Sequence, residues 1–172
     1  MKHWPLLILL FLAVLPGCYE MDMPLLEKGD RADIAYNFQC IAKFDGKKKS
    51  LSVKEENVGG WFSPDYKYNF DGDVVRLRKL DEGRYIAQFG DRPPYKLFWI
   101  TAEKDYLSIG IANVANKNIE IEHLRSKNGV TVVTVNSERI RLEGENAKIM
   151  QFLREHKNDL VYTAIGCDRV KA

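Results

Sequence analysis

The chain has 172 residues, and its 26 Lys and Arg against 24 Asp and Glu leave a formal net charge of +2. That length suits one domain of ordinary size. The near-neutral balance needs no strongly basic face to explain it, so nucleic-acid binding is not expected.

In chain order, the first element is a signal. Lys2 precedes residues 4–15 (WPLLILLFLAVL), which carry no charge, and Pro16 and Gly17 end the run. A membrane-spanning helix needs roughly 20 apolar residues, so this stretch is too short to span but fits the apolar region of a secretory signal. Pro-Gly breaks the helix and leaves an extended, uncrowded site for a peptidase. Leu15-Pro16-Gly17-Cys18 resembles the lipobox of bacterial lipoproteins, with Leu15, Gly17 and Cys18 in the expected places and Pro16 an unusual occupant of the second. The resemblance covers the first 18 residues alone. It implies a signal peptide at 1–17, cleavage before Cys18, a diacylglyceryl thioether on that cysteine, and acylation of the new amino group. Two or three chains anchor stably where one holds only marginally. An ordinary cleaved signal, with Cys18 in a disulfide, is the alternative. In lipoproteins of enteric-type bacteria an Asp after the acylated Cys favours the inner membrane. Tyr19 is not Asp, so the resemblance implies the outer membrane, with the domain facing the periplasm.

Residues 18–33 (CYEMDMPLLEKGDRAD) show no sustained period and read as the lipidated end plus a short tether, although Leu25 and Leu26 could pack on the domain. Residues 34–172 read as a single β-rich domain. Asp45-Gly46, Asp71-Gly72 and Asn128-Gly129 are hairpin signals, because type I′ turns need positive φ at both central positions. Glu82-Gly83, Lys104-Asp105 and Asn116-Lys117 punctuate more weakly. Between them lie runs rich in β-branched and aromatic residues: IAYNFQCIAKF, YKYNF, VVRLRKL, RYIAQF, YKLFWI, YLSIGIANV, IEIEHL and VTVVTV. Ile119 and Ile121 alternate with Glu120 and Glu122, a period of two that puts one face on a core. Lys47, Lys48 and Lys49 follow a turn and read as a solvated hairpin tip.

Residues 147–157 (AKIMQFLREHK) place Ile149, Met150, Phe152 and Leu153 on one helical stripe, with Asn146 as N-cap and His156 and Lys157 near the C-terminus. LVYTAIGC is then a last strand carrying Cys167. The predicted fold is mainly β (α+β). It is an antiparallel meander sheet or partly closed barrel of about eight to ten strands, with one helix in the C-terminal region as a cover. Cys40 and Cys167 remain for a disulfide that ties the first core segment to the last; a pair of buried thiols is the alternative.

Catalytic constellations are missing from the sequence: there is no Gly-x-Ser-x-Gly, no His-Glu-x-x-His, no Cys-x-x-Cys and no glycine-rich phosphate loop. His123, in an alternating strand, and His156, at a helix end, read as structural. Asp65, Asp71 and Asp73 lack the spacing of an EF-hand loop. No enzyme, cofactor or metal is therefore expected. The aromatic density of GGWFSPDYKY has two readings, core packing or a binding surface built from Trp61, Phe62, Tyr66 and Tyr68. Arg76 and Arg78 alternate with Val75 and Leu77, so they face away from those two, available to an acidic partner or merely solvated. The leading expectation is a membrane-anchored, non-enzymatic interaction module with an envelope protein as partner. One version is an inhibitor or immunity protein; lipidated lysozyme inhibitors are similar in type, being small, β-rich and disulfide-tied. The alternative is a β-barrel carrier of a hydrophobic or amphipathic ligand, with YKLFWI and YLSIGIANV lining its cavity.

Overall fold

A computed structural model describes residues 18–43, 45–112, 129–134, 139–155 and 161–171. The strands in chain order are β1 (Cys18–Met21), β2 (Asn37–Ala42), β3 (Lys48–Asn57), β4 (Tyr66–Phe70), β5 (Asp73–Asp81) and β6 (Arg84–Phe89). They continue with β7 (Tyr95–Glu103), β8 (Tyr106–Ala112), β9 (Thr131–Thr134), β10 (Arg139–Glu143) and β11 (Val161–Arg169); the helix α1 spans Asn146–Glu155.

Strands β2 to β8 form an antiparallel meander in which each pairs with the next, and β11 inserts between β8 and β2. The result is a closed antiparallel barrel of eight strands, with β1, β10 and β9 as an extension. Closure follows from alternation. Phe38, Leu51, Val53, Phe70, Val75, Leu77, Ala87, Phe98, Ile100 and Leu107 all point to one side of their strands and are buried together. In β11 the register shifts between Thr163 and Ile165, so Ala164 and Cys167, an odd number of residues apart, both reach the interior. Asp71 (φ 52°) and Gly72 (φ 112°) make the two-residue β4–β5 turn, as the sequence predicts.

The first and last barrel strands are neighbours, with Cys40 opposite Cys167, and a disulfide joins them at a Cα separation of 3.9 Å. The expected pairing is thus present, and it fastens the barrel where it closes.

A second core lies outside the barrel. Ile86 and Gln88 of β6, with Leu97 and Trp99 of β7, point outward yet are buried, because β1, β10, β9 and α1 cover them. Tyr19 packs against Trp99 and Phe152 at ring-centroid distances of 5.7 and 6.3 Å. The helix buries Ile149, Phe152 and Leu153 here, as its stripe predicts, while Met150 is partly buried. Asn146, expected as N-cap, instead donates its side-chain N–H to Pro24 O at 3.1 Å, and the Glu145 carbonyl accepts the first helical bond, from Ile149 N. Among the described residues no helix is long and apolar enough to cross a membrane.

The predicted strand at 119–124, the Asn116-Lys117 turn, His123 and His156 lie outside the described residues. Residues 18–33, expected as a tether, are bound along the domain. Beyond β1 they bury Leu25 and Leu26 and run across β6 and β5 to the upper rim, defined by the β3–β4, β5–β6 and β7–β8 connections. There Ala32 and Ile34 enter the barrel mouth.

Candidate functional site

The β3–β4 connection, residues 58–65, carries the two most exposed large apolar side chains among the described residues: Trp61 at 93% and Phe62 at 98%. Their position follows from local geometry. Val58 N donates to Asp65 O at 2.8 Å, extending the β3–β4 ladder by one rung. Asn57 Oδ1 then accepts from both Gly59 N (3.0 Å) and Asp65 N (3.3 Å). Ser63 N donates to Gly60 O at 3.1 Å, closing a four-residue turn with Trp61 and Phe62 at its central positions. Side chains at the corners of such a turn point away from the body of the protein.

Gly59 belongs to a pair that suggests flexibility in the sequence, but its role is close approach. A Cβ there would lie 2.3 Å from both Asp65 N and Ser63 O, closer than real contacts occur. Gly60 has open space around it.

Beneath the turn, Asp65 joins three segments. Its Oδ1 accepts from Gly29 N at 2.8 Å and Arg76 Nε at 3.4 Å, and its Oδ2 accepts from Arg76 Nη2 at 3.1 Å. Burial works against the Asp65 carboxylate, yet the Arg76 bonds and charge and the Gly29 amide outweigh it, so its pKa lies below the ordinary value. The strand-like strap around Gly29 is fixed on both sides, since Tyr66 N donates to Gly29 O (3.1 Å) and Asp30 N donates to Leu77 O (2.7 Å). Lys28 Nζ reaches Ser63 Oγ in the turn itself.

The six residues predicted as a binding surface separate into three groups. Trp61 and Phe62 are free surface. Tyr68 is 1% exposed and belongs to the core: it occupies an inward position of β4, and its hydroxyl accepts from Ala32 N at 2.6 Å. Burial pushes its pKa up. Tyr66 is half-buried, with the Arg31 guanidinium 5.8 Å from its ring centroid. Arg76 and Arg78 face outward as expected, but both serve the strap. Arg76 binds Asp65, and Arg78 donates to Lys28 O at 3.3 Å with Asp30 3.8 Å away. The arginines and Tyr66 therefore support the turn, and the two rings present it. Asp71 and Asp73 sit at the β4–β5 hairpin, and no group of three or more potential metal ligands occurs among the described residues.

The strap was missed by sequence reading. The signal for it was Gly29, where a Cβ would lie 2.0 Å from Tyr66 O.

Two shallow clefts of about 570 and 550 Å³ flank Tyr36 on the upper rim. The first is lined by Lys104, Asp105 and Arg169, whose guanidinium lies 3.3 Å from the Tyr36 ring centroid; the second is lined by Arg31, Asp33 and Glu55. Both lie on the rim, outside the barrel's inward rings. Inside, Phe89 meets Phe70 at 5.7 Å and Phe98 at 4.8 Å, centroid to centroid, so rings from three strands fill the space between them.

No protein-family model matches the chain, and no curated protein or solved structure matches it either.

Proposed function

We propose that this chain is a lipid-anchored lipoprotein of the bacterial cell envelope that acts without catalysis, by docking the Trp61–Phe62 turn into an apolar socket on another envelope protein. The observation that carries the reading is the exposure of two adjacent aromatic rings on a turn held in one shape by Asn57, Asp65 and Arg76. Rigid aromatics bury large area at low conformational cost, which is why they dominate binding hot spots. Burying both would contribute roughly 3–6 kcal/mol before the costs of association. That is modest for partners meeting in solution. It is sufficient when both are confined to one membrane, where effective concentration is high.

The anchor is Cys18, the cleaved signal is 1–17, and Tyr19 after the cysteine favours the outer membrane, with the domain in the periplasm. The Cys40–Cys167 disulfide is in keeping with that oxidising compartment. An inhibitor or immunity protein guarding the envelope is one version of this reading, with the aromatic turn as its contact.

The closed barrel is also compatible with the second reading, carriage of a hydrophobic ligand, because eight strands can enclose one small molecule. The ring contacts of Phe70, Phe89 and Phe98 support surface action over carriage.

A photo-crosslinking residue at position 63 in the native host tests the proposal. One envelope protein should be captured at native expression, and Trp61→Ala with Phe62→Ala should abolish the adduct. Adducts with lipid and bulk protein alone, unchanged by those substitutions, would count against it.

A further inference from the structure

Between Cys18 and Ile34 the chain has no free stretch. The β1 strand is hydrogen-bonded on both edges, Tyr19 pairing with Leu97 of β7 and with Ile140 of β10. Tyr19 is 2% exposed, and Met21, Leu25 and Leu26 are also buried. Arg141 of β10 holds the strand electrostatically, lying 3.6 Å from the buried Glu20 and 3.2 Å from Asp22. Further along, Pro24 O accepts from Asn146, and Leu26 N donates to the buried Gln88 at 2.8 Å. Gly29 and Asp30 are bonded to β4 and β5, and Ala32 and Ile34 plug the barrel mouth.

Direction matters as much as docking. Met21 pairs with Tyr95 at the start of β7, on the lower rim, so β1 runs downward and its Cys18 end points toward the upper rim. That rim also carries the Trp61–Phe62 turn. An anchor leaving β1 at its first residue therefore departs toward the end of the barrel that bears the aromatic turn.

We propose that the mature lipoprotein has no linker: its acylated residue is the first residue of a docked strand, the barrel is seated directly on the lipid headgroups, and the Trp61–Phe62 turn serves a partner lying in or against the same bilayer. This rests on the acyl-anchor reading given above. The scale of the difference is large. A free tether over residues 18–33 could extend roughly 50–58 Å at about 3.3–3.6 Å per residue. Docked, it extends nothing, and the turn lies no farther from the membrane than one barrel length, about 30 Å for strands of nine residues. A partner on the opposite membrane, or deep in the wall, is out of reach. What remains is a membrane-embedded or membrane-apposed protein whose socket opens close to the headgroups.

The test uses the native lipoprotein in vesicles of its own lipids. Amide exchange should show residues 19–21, Leu26, Asp30 and Ala32 protected at least about 100-fold relative to an unstructured peptide. Protease added outside should leave the barrel on the vesicle. Exchange of residues 19–30 at unstructured rates, or release of an intact barrel beginning near residue 34, would overturn the docked anchor. The mass of the N-terminal peptide from the same sample reads the acyl anchor separately, and a bare thiol at Cys18 overturns the seating while leaving the exchange result standing. Reach is read with Trp99→Phe, which leaves Trp61 as the sole tryptophan after residue 17. Energy transfer from Trp61 to a headgroup-labelled lipid should be strong, and should fall severalfold when a 20-residue Gly-Ser insert (about 25 Å root-mean-square span) separates Cys18 from Tyr19. Equal transfer with and without the insert would refute the seating.

Discussion

Asp65 is the residue on which the presentation of the aromatic turn depends, and its removal has a calculable cost. Its carboxylate accepts one neutral hydrogen bond, from Gly29 N, and a charge-assisted pair from Arg76, with the two side chains only 14% and 19% exposed. The neutral bond is worth about 0.5–1.5 kcal/mol net and the charged contact about 1.5–3 kcal/mol, so Asp65→Ala should destabilise by about 2–4 kcal/mol. Asp65→Asn keeps an oxygen for Gly29 and should lose only the charged part. Combining Asp65→Asn with Arg76→Gln should cost less than the sum, with a coupling of about 1–2 kcal/mol, because the second change removes a partly buried cation already left without its partner. Urea midpoints at constant m-value measure the parent, the three single variants (Asp65→Ala, Asp65→Asn and Arg76→Gln) and the double variant. The sign of the pH dependence follows from the lowered pKa of Asp65. Its stabilising contribution is complete above the ordinary carboxylate value near 3.9, and is lost as pH falls through the lower folded-state value. In Asp65→Asn that part of the acid sensitivity should disappear. An Asp65→Ala protein within 0.5 kcal/mol of the parent (about a twofold change in the folding constant) would show that the strap and turn are held by something else.

Replacing both Cys40 and Cys167 by Ala should lower stability by up to about 4–5 kcal/mol, since the bond closes a loop of 127 residues at the barrel seam; thermal unfolding with and without reductant checks it, and an unchanged midpoint would contradict it. Gly59→Ala should cost more than about 2 kcal/mol and shift the Trp61 emission, because the new methyl meets backbone atoms that cannot step aside. Trp61→Ala and Phe62→Ala, by contrast, should change unfolding free energy by less than about 0.5 kcal/mol while abolishing partner capture; a large loss of stability would mean the rings are packed after all. Gln88→Leu should detach Leu26 and cost about 1–3 kcal/mol, visible as faster amide exchange at Leu26, because a buried backbone N–H loses its acceptor.

Much of the barrel was legible because alternation is a strong signal where one strand face is wet. Val75 and Leu77 against Arg76 and Arg78 announced the inward and outward faces of β5 directly, and the Asp-Gly pair at 71–72 announced its turn. Strand β3 was not foreseen. Only Leu51 and Val53 of its ten residues are buried apolar positions, and KKS before them and KEEN after them look like loop; pairing with β2 and β4 makes it a strand. The short strands β1 and β10 were missed for a related reason, since four or five residues give too few repeats for a period to show. Apart from the packing of Leu25 and Leu26, the docked course of residues 18–34 was not legible, because its fixing contacts, with Gln88, Asn146, Leu77 and Tyr68, are distant in sequence. Within the candidate site, the aromatic cluster was found but not resolved. Tyr68 and Trp61 look alike in sequence, and only the register of β4 sends one ring into the barrel while the turn leaves the other outside.

Native mass spectrometry of the protein released gently from its own membrane tests the whole reading in one spectrum. An anchored module that works through its surface should appear as a chain beginning at acylated Cys18 with nothing held in the barrel. A bare thiol, a start at another residue, or a lipid that stays bound until the barrel unfolds would contradict it.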